Sequence, residues 1–248
     1  MRCVRVAALY DVHGNLPALE AVLTDPRCQA ADVVVSGGDL VAGPMPLECL
    51  ERLEAEGERV RFLTGNCDRE TASPTGDEEW HDKIGGWSAA RLDEAQLDRV
   101  RRWPLTVELE IQGLGRLLFC HATPASDLPI LTRATPDAVV ARELAGVTAA
   151  VVVCGHTHVQ YDRRVGDVRV VNAGSVGMPY EGSPDPRWAI IDEDGVELAS
   201  TPYDAVGALE TLAARGFPVF EGWFGRTLRG EVTAEEATES FETRRSGA

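Results

Sequence analysis

The sequence predicts a single α/β domain, and three observations support this fold class. Five short apolar runs rich in β-branched residues lie in the first two thirds of the chain, as expected of strands that are covered on both faces. Helical patterns separate the first three runs, and hairpin patterns follow later. The five runs are residues 4–10, 33–36, 60–64, 117–120 and 149–154.

Between the first three runs, the sequence has the features of two helices. Asn15 can cap the first helix, with Pro17 in its first turn. Leucines three residues apart predict the second helix over residues 47–53. We also expect helices within the longer polar stretch of residues 71–102, ended by Pro104.

The second half of the chain is predicted to contain antiparallel strands followed by a helix. Glycine-containing turns between segments of alternating polarity favour hairpins. The predicted elements are, in order, a hairpin of residues 106–111 and 117–120, a strand at 168–172, a hairpin of 188–191 and 196–199, and a helix at 204–215.

The C-terminal part has an aromatic group and a charged tail. We expect Phe217, Phe220, Trp223 and Phe224 to pack on the domain core, with a homo-oligomer contact as the alternative. The tail, residues 231–248, is predicted to be a loose helix or disordered. We find no repeat and no linker, and one domain over the whole chain, residues 1–248, is therefore the simplest interpretation.

The composition argues against several classes of function. The chain has 248 residues, of which 44% are apolar, as in ordinary globular domains. Its net charge of −16 argues against general binding to nucleic acids or to anionic membranes. The sequence has no apolar stretch of membrane-spanning length, and its six cysteines include no C-x-x-C pair. We therefore expect a cytoplasmic protein with reduced thiols and a small ligand.

Each of the five apolar runs is followed at once by side chains that can bind a metal ion. In α/β sheets, ligands bind beyond the carboxyl ends of the strands, so we expect these side chains to meet in one crevice. Four of the five histidines fall in these positions, which separates the pattern from isolated core histidines. The predicted metal ligands are Asp11, His13, Asp39, Asn66, His121, His156 and His158.

The ligand set indicates two ions rather than one. Seven ligands are too many for a four-coordinate ion with an open position, whereas they suit two ions about 3.5–4 Å apart. Asp39, in the middle of the set, is the candidate to bridge both ions. Mixed imidazole and oxygen ligands favour manganese as first choice, with Fe, Co, Ni or Zn as alternatives. With Asp11, Asp39 and a bridging hydroxide, the site carries a charge of about +1, which attracts a phosphate.

The order of these motifs resembles the calcineurin-like metallophosphoesterase superfamily. The motifs that carry the resemblance are Asp11-x-His13, Gly38-Asp39, Gly65-Asn66-x-Asp68, His121 and Gly155-His156-x-His158. Residues 11–15, 65–68 and 172–177 look like the small bacterial and archaeal phosphodiesterase branch. The resemblance implies a four-layer α/β/β/α sandwich of two mixed β-sheets flanked by helices. It covers motifs from residue 11 to residue 158 and implies nothing beyond about residue 199.

The resemblance also implies how the ligands divide between the ions. One ion is expected on Asp11, His13, Asp39 and His158, and the other on Asp39, Asn66, His121 and His156.

Cys67 occupies a position where many members have a histidine that protonates the leaving group. A thiol with a pKa of about 8.5 is a poorer proton donor than an imidazolium. We therefore expect Cys67 to pack or to form part of the substrate wall, with proton transfer as the alternative. The small phosphodiesterase branch also has cysteine here. His81 is a further candidate for the acid, although a solvated helix residue is the commoner role.

The predicted function is hydrolysis of a small phosphate ester, with a phosphodiesterase ahead of a phosphomonoesterase, protein phosphatase or nucleotide phosphatase. A metal-bridging hydroxide is the expected nucleophile. The backbone amides of Gly14 and Asn15 are expected to help hold a phosphate oxygen, and Asp68 to orient the ligands. Outside the enzyme class, the alternative is a non-catalytic metal-binding interaction scaffold with the same fold.

Overall fold

The computed structural model describes residues 4–74 and 81–247, with the side chains of residues 81 and 82 excluded. The predicted apolar runs form strands in two mixed sheets. The strands are β1 (Val6–Leu9), β2 (Val33–Ser36), β3 (Val60–Phe62), β4 (Thr106–Ile111), β5 (Gly115–Cys120), β6 (Val151–Cys154), β7 (Tyr161–Val165), β8 (Val168–Asn172), β9 (Arg187–Asp192) and β10 (Gly195–Ser200).

Each sheet has five strands. The first has the order β10-β9-β1-β2-β3, with β1, β2 and β3 parallel. The second has the order β4-β5-β6-β8-β7, with β5, β6 and β8 parallel. The hairpin predicted at residues 106–120 is confirmed as the antiparallel pair of β4 and β5. The hairpin predicted at residues 188–199 is confirmed as the antiparallel pair of β9 and β10.

Helices form at the predicted positions, and further helices form where none was predicted, at residues 26–29, 66–72, 137–143 and 225–228. The described helices are α1 (Leu16–Thr24), α2 (Pro26–Gln29), α3 (Pro46–Glu54), α4 (Asn66–Ala72), α5 (Gly86–Ala89), α6 (Glu94–Arg101), α7 (Asp137–Glu143), α8 (Ala205–Ala213), α9 (Gly225–Leu228) and α10 (Ala234–Gly247). Asn15 caps α1 as predicted, because its side chain accepts a hydrogen bond from the backbone N–H of Ala18 at 3.2 Å. In the part of the chain that is described, no helix is long and apolar enough to cross a membrane.

The two sheets pack face to face with helices outside, which confirms the four-layer sandwich. In β1, Val6 and Ala8 belong to the apolar core between the sheets, whereas Ala7 and Leu9 belong to the core under the helices. This alternation is the two-residue period of a strand that is buried on both faces. Helices α1, α3 and α6 cover the outer face of the first sheet, and α7 covers that of the second.

Strand β7 was not predicted from the sequence, and for the tail the sequence left two states open. Strand β7 has a polar sequence, Tyr161–Val165, and it lies at the edge of the second sheet, where arginine side chains reach solvent. The charged tail forms α10, of whose residues Ala237, Thr238 and Phe241 are buried. Of the two predicted states of the tail, the structure therefore has the helix, and the helix packs on the domain.

The predicted packing of the C-terminal aromatic group is confirmed for its three phenylalanines. Phe217, Phe220 and Phe224 are buried in an apolar cluster that also contains Met178 and Tyr180. Trp223 is 40% exposed. An oligomer contact through this group stays a prediction.

Candidate metal centre

The sheet topology brings the predicted ligands to one edge of the sandwich. Asp11, Asp39 and Asn66 follow the parallel strands β1, β2 and β3, and His121 and His156 follow the parallel strands β5 and β6. Backbone hydrogen bonds join the loops that carry them. The N–H of Asp11 donates to Gly38 O at 3.0 Å, and the N–H of His13 donates to Asp39 O at 2.8 Å. The two sheets therefore present their carboxyl-end loops to the same crevice.

The backbone of these loops is locally strained. In the described ranges, five residues other than glycine have a positive φ, between 47° and 67°, and all five are predicted ligands: Asp11, His13, Asp39, His156 and His158. Such a conformation is unfavourable for L side chains and persists only where the surroundings fix it. The strained backbone conformations therefore occur at residues whose side chains are predicted metal ligands.

The predicted ligand atoms form one buried cluster. The measured separations are 3.3 Å for His13 Nε2 to His158 Nε2, 3.3 Å for His158 Nε2 to Asp11 Oδ1, 3.5 Å for His121 Nε2 to Asp39 Oδ2, 3.7 Å for His13 Nε2 to Asp39 Oδ2 and 3.2 Å for His121 Nε2 to Asn66 Oδ1. The ring of His156 lies 5.1 Å from that of His121, centroid to centroid. The structure thus brings all seven side chains together.

Backbone carbonyl groups orient three of the histidines. The Nδ1 atoms lie 3.1 Å from Ala42 O in His13, 3.0 Å from Gly37 O in His121 and 2.8 Å from Met178 O in His158. Because a carbonyl oxygen only accepts, each Nδ1 carries the hydrogen, and Nε2 of the neutral ring keeps its lone pair for the cluster. This arrangement is typical of histidines that bind metal ions.

In each of the two aspartates, one carboxylate oxygen accepts a backbone hydrogen bond and the other faces the predicted ligands. Asp11 Oδ2 accepts a hydrogen bond from the backbone N–H of His156 at 2.9 Å, and Asp39 Oδ1 accepts one from the N–H of Cys67 at 2.8 Å. Their other oxygens, Oδ1 of Asp11 and Oδ2 of Asp39, face the histidines. Each aspartate therefore offers one directed oxygen.

The cluster has the features of a cation site. Asp11 Oδ1 is buried and has no hydrogen-bond partner within the described residues. The Nε2 atoms of His13 and His158 also face each other at 3.3 Å, each with its hydrogen on Nδ1. Facing lone pairs and an unpaired buried carboxylate oxygen are stabilised by a cation between them. The residues present therefore fit divalent metal ions.

The environment of the cluster shifts the pKa values of two histidines in opposite directions. Burial disfavours protonation of His121, but the carboxylates of Asp39 and Asp11 outweigh it and raise the pKa of His121 to about 10. Burial, and then repulsion from His121, lower the pKa of His156 to about 4. In the absence of metal, His121 thus carries a proton that a bound cation replaces.

Asp68 supports the site differently from the prediction. Its Oδ1 accepts hydrogen bonds from the backbone N–H groups of Leu40 at 2.8 Å and Val41 at 2.9 Å, and its Oδ2 accepts one from Gly65 at 3.2 Å. It contacts backbone amides and not the side chain of a ligand. Asp68 therefore joins the loop after Asp39 to the loop before Asn66.

The predicted phosphate-binding role of the Gly14 and Asn15 amides is wrong. The N–H of Gly14 donates to Leu40 O at 2.9 Å, and the N–H of Asn15 donates to Val12 O at 3.0 Å. The Asn15 side chain is buried, and its Nδ2 donates to Gly177 O at 2.9 Å. Because these groups are already used inside the fold, they are not available to a substrate.

Cys67 lines the cavity above the ligands, and Asn66 Nδ2 lies 3.3 Å from its Sγ. Burial, and then the charge of Asp39, raise the pKa of the Cys67 thiol well above its ordinary value, so that it is a weak acid at neutral pH. This favours the predicted packing or wall role over proton transfer. The side chain of His81, the other predicted acid, lies outside the described residues.

The segment of residues 172–177 holds the ligand loops in place. Ser175 Oγ donates to Asp11 O at 2.7 Å, and the N–H of Gly177 donates to the same carbonyl at 3.0 Å. Asn172 Nδ2 donates to Gly155 O at 2.6 Å. The similarity of this segment to the phosphodiesterase branch is thus explained by its contacts with the loops that carry Asp11 and His156.

Aromatic residues that the motifs did not indicate complete the site. Tyr180 stacks on the ring of His158 at 4.5 Å, and Phe241 lies 6.3 Å from the ring of His156. We name the aromatic wall the group of rings that line the cavity of about 760 Å³ above the ligands: Tyr180, Phe217, Trp223, Phe224 and Phe241. The C-terminal aromatic residues were visible in the sequence, but no local signal indicated that they face the metal centre.

Known proteins are similar in sequence to this chain. The chain is 26% identical over 247 residues to an uncharacterized protein of Methanocaldococcus jannaschii, with 90% of this chain and 96% of that protein covered. It is 27% identical over 198 residues to phosphodiesterase YfcE of Escherichia coli, with 74% of this chain and 85% of that protein covered. These relatives match most of the sequence at low identity.

Solved structures have the same fold. The structure of a metallophosphoesterase from Sphaerobacter thermophilus superposes with a TM-score of 0.75 at 24% identity and covers 93% of this chain and all of that chain. The structure of E. coli YfcE superposes with a TM-score of 0.51 at 22% identity and covers 81% of this chain and all of that chain. The family model of the calcineurin-like phosphoesterase superfamily domain matches residues 4–195. The chain, with its converging aspartates and histidines at the strand ends, therefore belongs to the calcineurin-like phosphoesterase superfamily.

Proposed function

We propose that this protein is a phosphodiesterase that uses two divalent metal ions, with manganese as the first choice. The observation that carries the proposal is the position of Asp39 Oδ2 between two sets of ligands. It lies 3.7 Å from Nε2 of His13 and 3.5 Å from Nε2 of His121. A carboxylate in this position suits the bridge of a binuclear hydrolytic centre.

The ligands divide on either side of Asp39. Asp11, His13 and His158 would hold one ion together with Asp39, and Asn66, His121 and His156 would hold the other. When bound, two such ions lower the pKa of a water molecule and neutralise the charge on the phosphoryl oxygens. The mixed imidazole and oxygen donors support manganese, with Fe, Co, Ni and Zn as alternatives.

The chain itself prepares this chemistry. The carbonyl groups of Gly37, Ala42 and Met178 fix the histidine tautomers, so that the ligands need little reorganisation. Asn66 supplies a neutral oxygen, Oδ1, where an aspartate would cancel positive charge that attracts the substrate. Apolar side chains line much of the cavity above the ligands, and the lower polarity that they create strengthens these interactions.

Two considerations support a diester over a monoester. The resemblance of residues 11–15 and 65–68 is to the phosphodiesterase branch, and the named relative that covers most of this chain is a phosphodiesterase. In addition, the cavity above the ligands is far larger than one phosphate group and leaves room for a second ester group.

Metal content and turnover test the proposal. We expect about two Mn²⁺ ions per chain by elemental analysis, and faster hydrolysis of bis-p-nitrophenyl phosphate than of p-nitrophenyl phosphate. Asp39→Ala should bind less metal and lose turnover. The matched control is Asp194→Asn, which changes an exposed carboxylate in the β9–β10 turn. Full Mn²⁺-dependent activity in Asp39→Ala would contradict the scheme, and preference for the monoester would indicate a phosphomonoesterase.

A further inference from the structure

The cavity above the metal centre is mostly apolar except at its floor. Its floor consists of predicted metal ligands and Cys67. Its sides consist mainly of the aromatic wall with Ile84, Met178 and Val219, together with the polar residues Ser240 and Arg244. Apart from histidines, Asp39 and Arg244 are the only lining residues of the described chain whose side chains are ordinarily charged. The Arg244 guanidinium lies 4.3 Å from the centre of the Phe241 ring. A phosphate diester bound at the floor would therefore place an ester group against apolar rings.

Two rings of the aromatic wall, Tyr180 and Phe241, lie against the rings of predicted ligands. Tyr180 stacks on His158 at 4.5 Å with an interplanar angle of 18°, and Trp223 lies 5.4 Å from Tyr180. On the other side, Phe241 lies 6.3 Å from His156. A planar group attached to the phosphorus atom would therefore lie near the rings that border His158 and His156.

The aromatic wall is anchored to the domain. On α10, the Glu242 carboxylate accepts hydrogen bonds from the hydroxyl groups of Thr132 and Thr135, both at 2.6 Å. The backbone N–H of Gly182 donates to Val232 O at 2.8 Å just before this helix. A surface that is held in this way keeps its shape when a ligand enters, which lowers the entropic cost of binding.

The position of the aromatic wall in the chain is also informative. The family match ends at residue 195, and four of the five aromatic-wall residues lie beyond it. The metal ligands all lie inside the match. The aromatic side of the cavity is thus built largely from residues beyond the family match.

We infer that the aromatic wall selects phosphate diesters that carry a planar, uncharged aromatic group. This inference rests on the proposed function for the phosphate position, and the aromatic wall determines which ester group binds. Flat rings match the stacked and edge-on arrangement of Tyr180, Trp223 and Phe241, whereas a small alkyl group leaves most of the cavity to water.

Binding can be measured without turnover. In the Mn²⁺-loaded protein, calorimetric titration with phenylphosphonate and methylphosphonate compares two ligands that share the phosphonate group and differ in the ring. We expect phenylphosphonate to bind at least about tenfold more tightly. Trp223→Ala and Phe241→Leu should each reduce this ratio about three- to tenfold, since an aromatic contact contributes that much in affinity.

Phe220→Leu is the matched control for Phe241→Leu. Phe220 is buried in the same apolar cluster, but it does not line the cavity, so its replacement should leave the ratio unchanged. Trp223 is 40% exposed, and its truncation does not open a core cavity. A reduced ratio in Phe220→Leu as large as in Phe241→Leu would show that general loosening of the cluster is responsible and would overturn the inference.

Turnover separates this inference from the proposed function. Phenyl p-nitrophenyl phosphate and methyl p-nitrophenyl phosphate share a leaving group, and the first should have the higher kcat/KM. Hydrolysis of neither ester, together with tighter binding of phenylphosphonate, would overturn the phosphodiesterase proposal and support the selectivity. Equal binding of the two phosphonates would overturn the selectivity whatever the turnover.

Discussion

The metal-binding floor of the cavity comes from strand-end loops within residues 11–158, whereas the aromatic wall comes mainly from helical segments after residue 205. The floor contains polar side chains on strained backbone, and each aspartate is fixed by a backbone N–H group. The aromatic wall contains aromatic rings on α10, on the π-helical segment Phe220–Phe224 and on the loops that carry Tyr180 and Phe217, and side-chain packing and Glu242 hold them.

We therefore assign the proposed chemistry to the floor and the proposed selection of the ester group to the aromatic wall. The floor has little tolerance for change, because an unpaired buried charge costs far more than a lost apolar contact. A substitution at Trp223, whose ring contacts Tyr180 and no predicted ligand, is expected to change the shape of the aromatic wall and to leave the ligands in place. Variants of the floor should therefore abolish metal binding, and variants of the aromatic wall should change which ester binds.

The largest expected effect is on the floor. Mn²⁺ at about 100 times its dissociation constant should stabilise the protein by about 2.7 kcal/mol, which corresponds to a rise in Tm of roughly 5–10 °C. Asp11→Asn should lose this rise, because it removes the charge of the unpaired buried Oδ1. Thermal unfolding with and without Mn²⁺ measures it. Trp223→Ala is the comparison variant and should keep the full rise. If Mn²⁺ raised the Tm of Asp11→Asn as much as that of the unaltered protein, the assignment of metal binding to the floor would be contradicted.

A smaller effect is expected below the floor, at Asp68. Asp68→Asn replaces a carboxylate oxygen that accepts from Leu40, Val41 or Gly65 with an NH₂ group, which cannot accept. The loops after β2 and β3 should shift, and Mn²⁺ affinity should fall about 10- to 100-fold, as for other residues that support metal ligands. Calorimetric titration with Mn²⁺ measures the change. Asp194→Asn serves as control, and unaltered affinity in Asp68→Asn would show that the loops hold their positions without this carboxylate.

The smallest effect is expected at the anchor of the aromatic wall. Glu242→Gln should lower the free energy of unfolding by about 1–2 kcal/mol, because it weakens the hydrogen bonds from Thr132 and Thr135 and the ion pair with Arg245. The exposed residue Glu239 on the same helix provides the matched control, Glu239→Gln. Chemical denaturation at pH 7 measures the difference, and Mn²⁺ affinity should be preserved.

The same variant has an expected pH dependence. Partial burial opposes ionisation of Glu242, but Arg245 and the two threonine hydroxyl groups outweigh it and lower the pKa of this carboxyl. A lowered pKa means that the contribution to stability is complete above the ordinary value of about 4.3 and is lost as the pH falls through the folded-state value. The stability difference between the unaltered protein and Glu242→Gln should therefore shrink below about pH 4. A difference that grows with acidity would contradict this assignment.

The metal ligands were predictable because their signal is local. An apolar run followed at once by aspartate, asparagine or histidine places that side chain at the carboxyl end of a strand, whatever the rest of the chain does. The helix cap at Asn15 and both hairpins were predictable for the same reason. The layered arrangement of the two sheets followed from the resemblance of the motifs rather than from the periodicity.

Features that depend on distant contacts could not be predicted in this way. The polar sequence of β7 becomes a strand because it pairs with β8 at a sheet edge. The amides of Gly14 and Asn15 looked free at a helix start, but the loop after β2 and the segment before the helix already accept from them. The sequence suggested that Asp68 is a partner of Asn66. In the structure, Asp68 Oδ1 accepts hydrogen bonds from the backbone N–H groups of Leu40 and Val41 in another loop.

The sequence by itself determined which side chains converge in the candidate metal centre, because strand, loop and polar side chain are adjacent along the chain. Only the tertiary structure decided what covers that centre. Glu242 accepts a hydrogen bond from Thr132, which lies 110 residues earlier in the chain. Tyr180 stacks on His158 from the loop after β8. Such contacts arise when separate apolar faces pack together. The sequence alone does not show which of several apolar helix faces packs against a given partner. The residues of the candidate metal centre are therefore encoded locally, whereas the selectivity that we propose depends on the packing of the C-terminal segment.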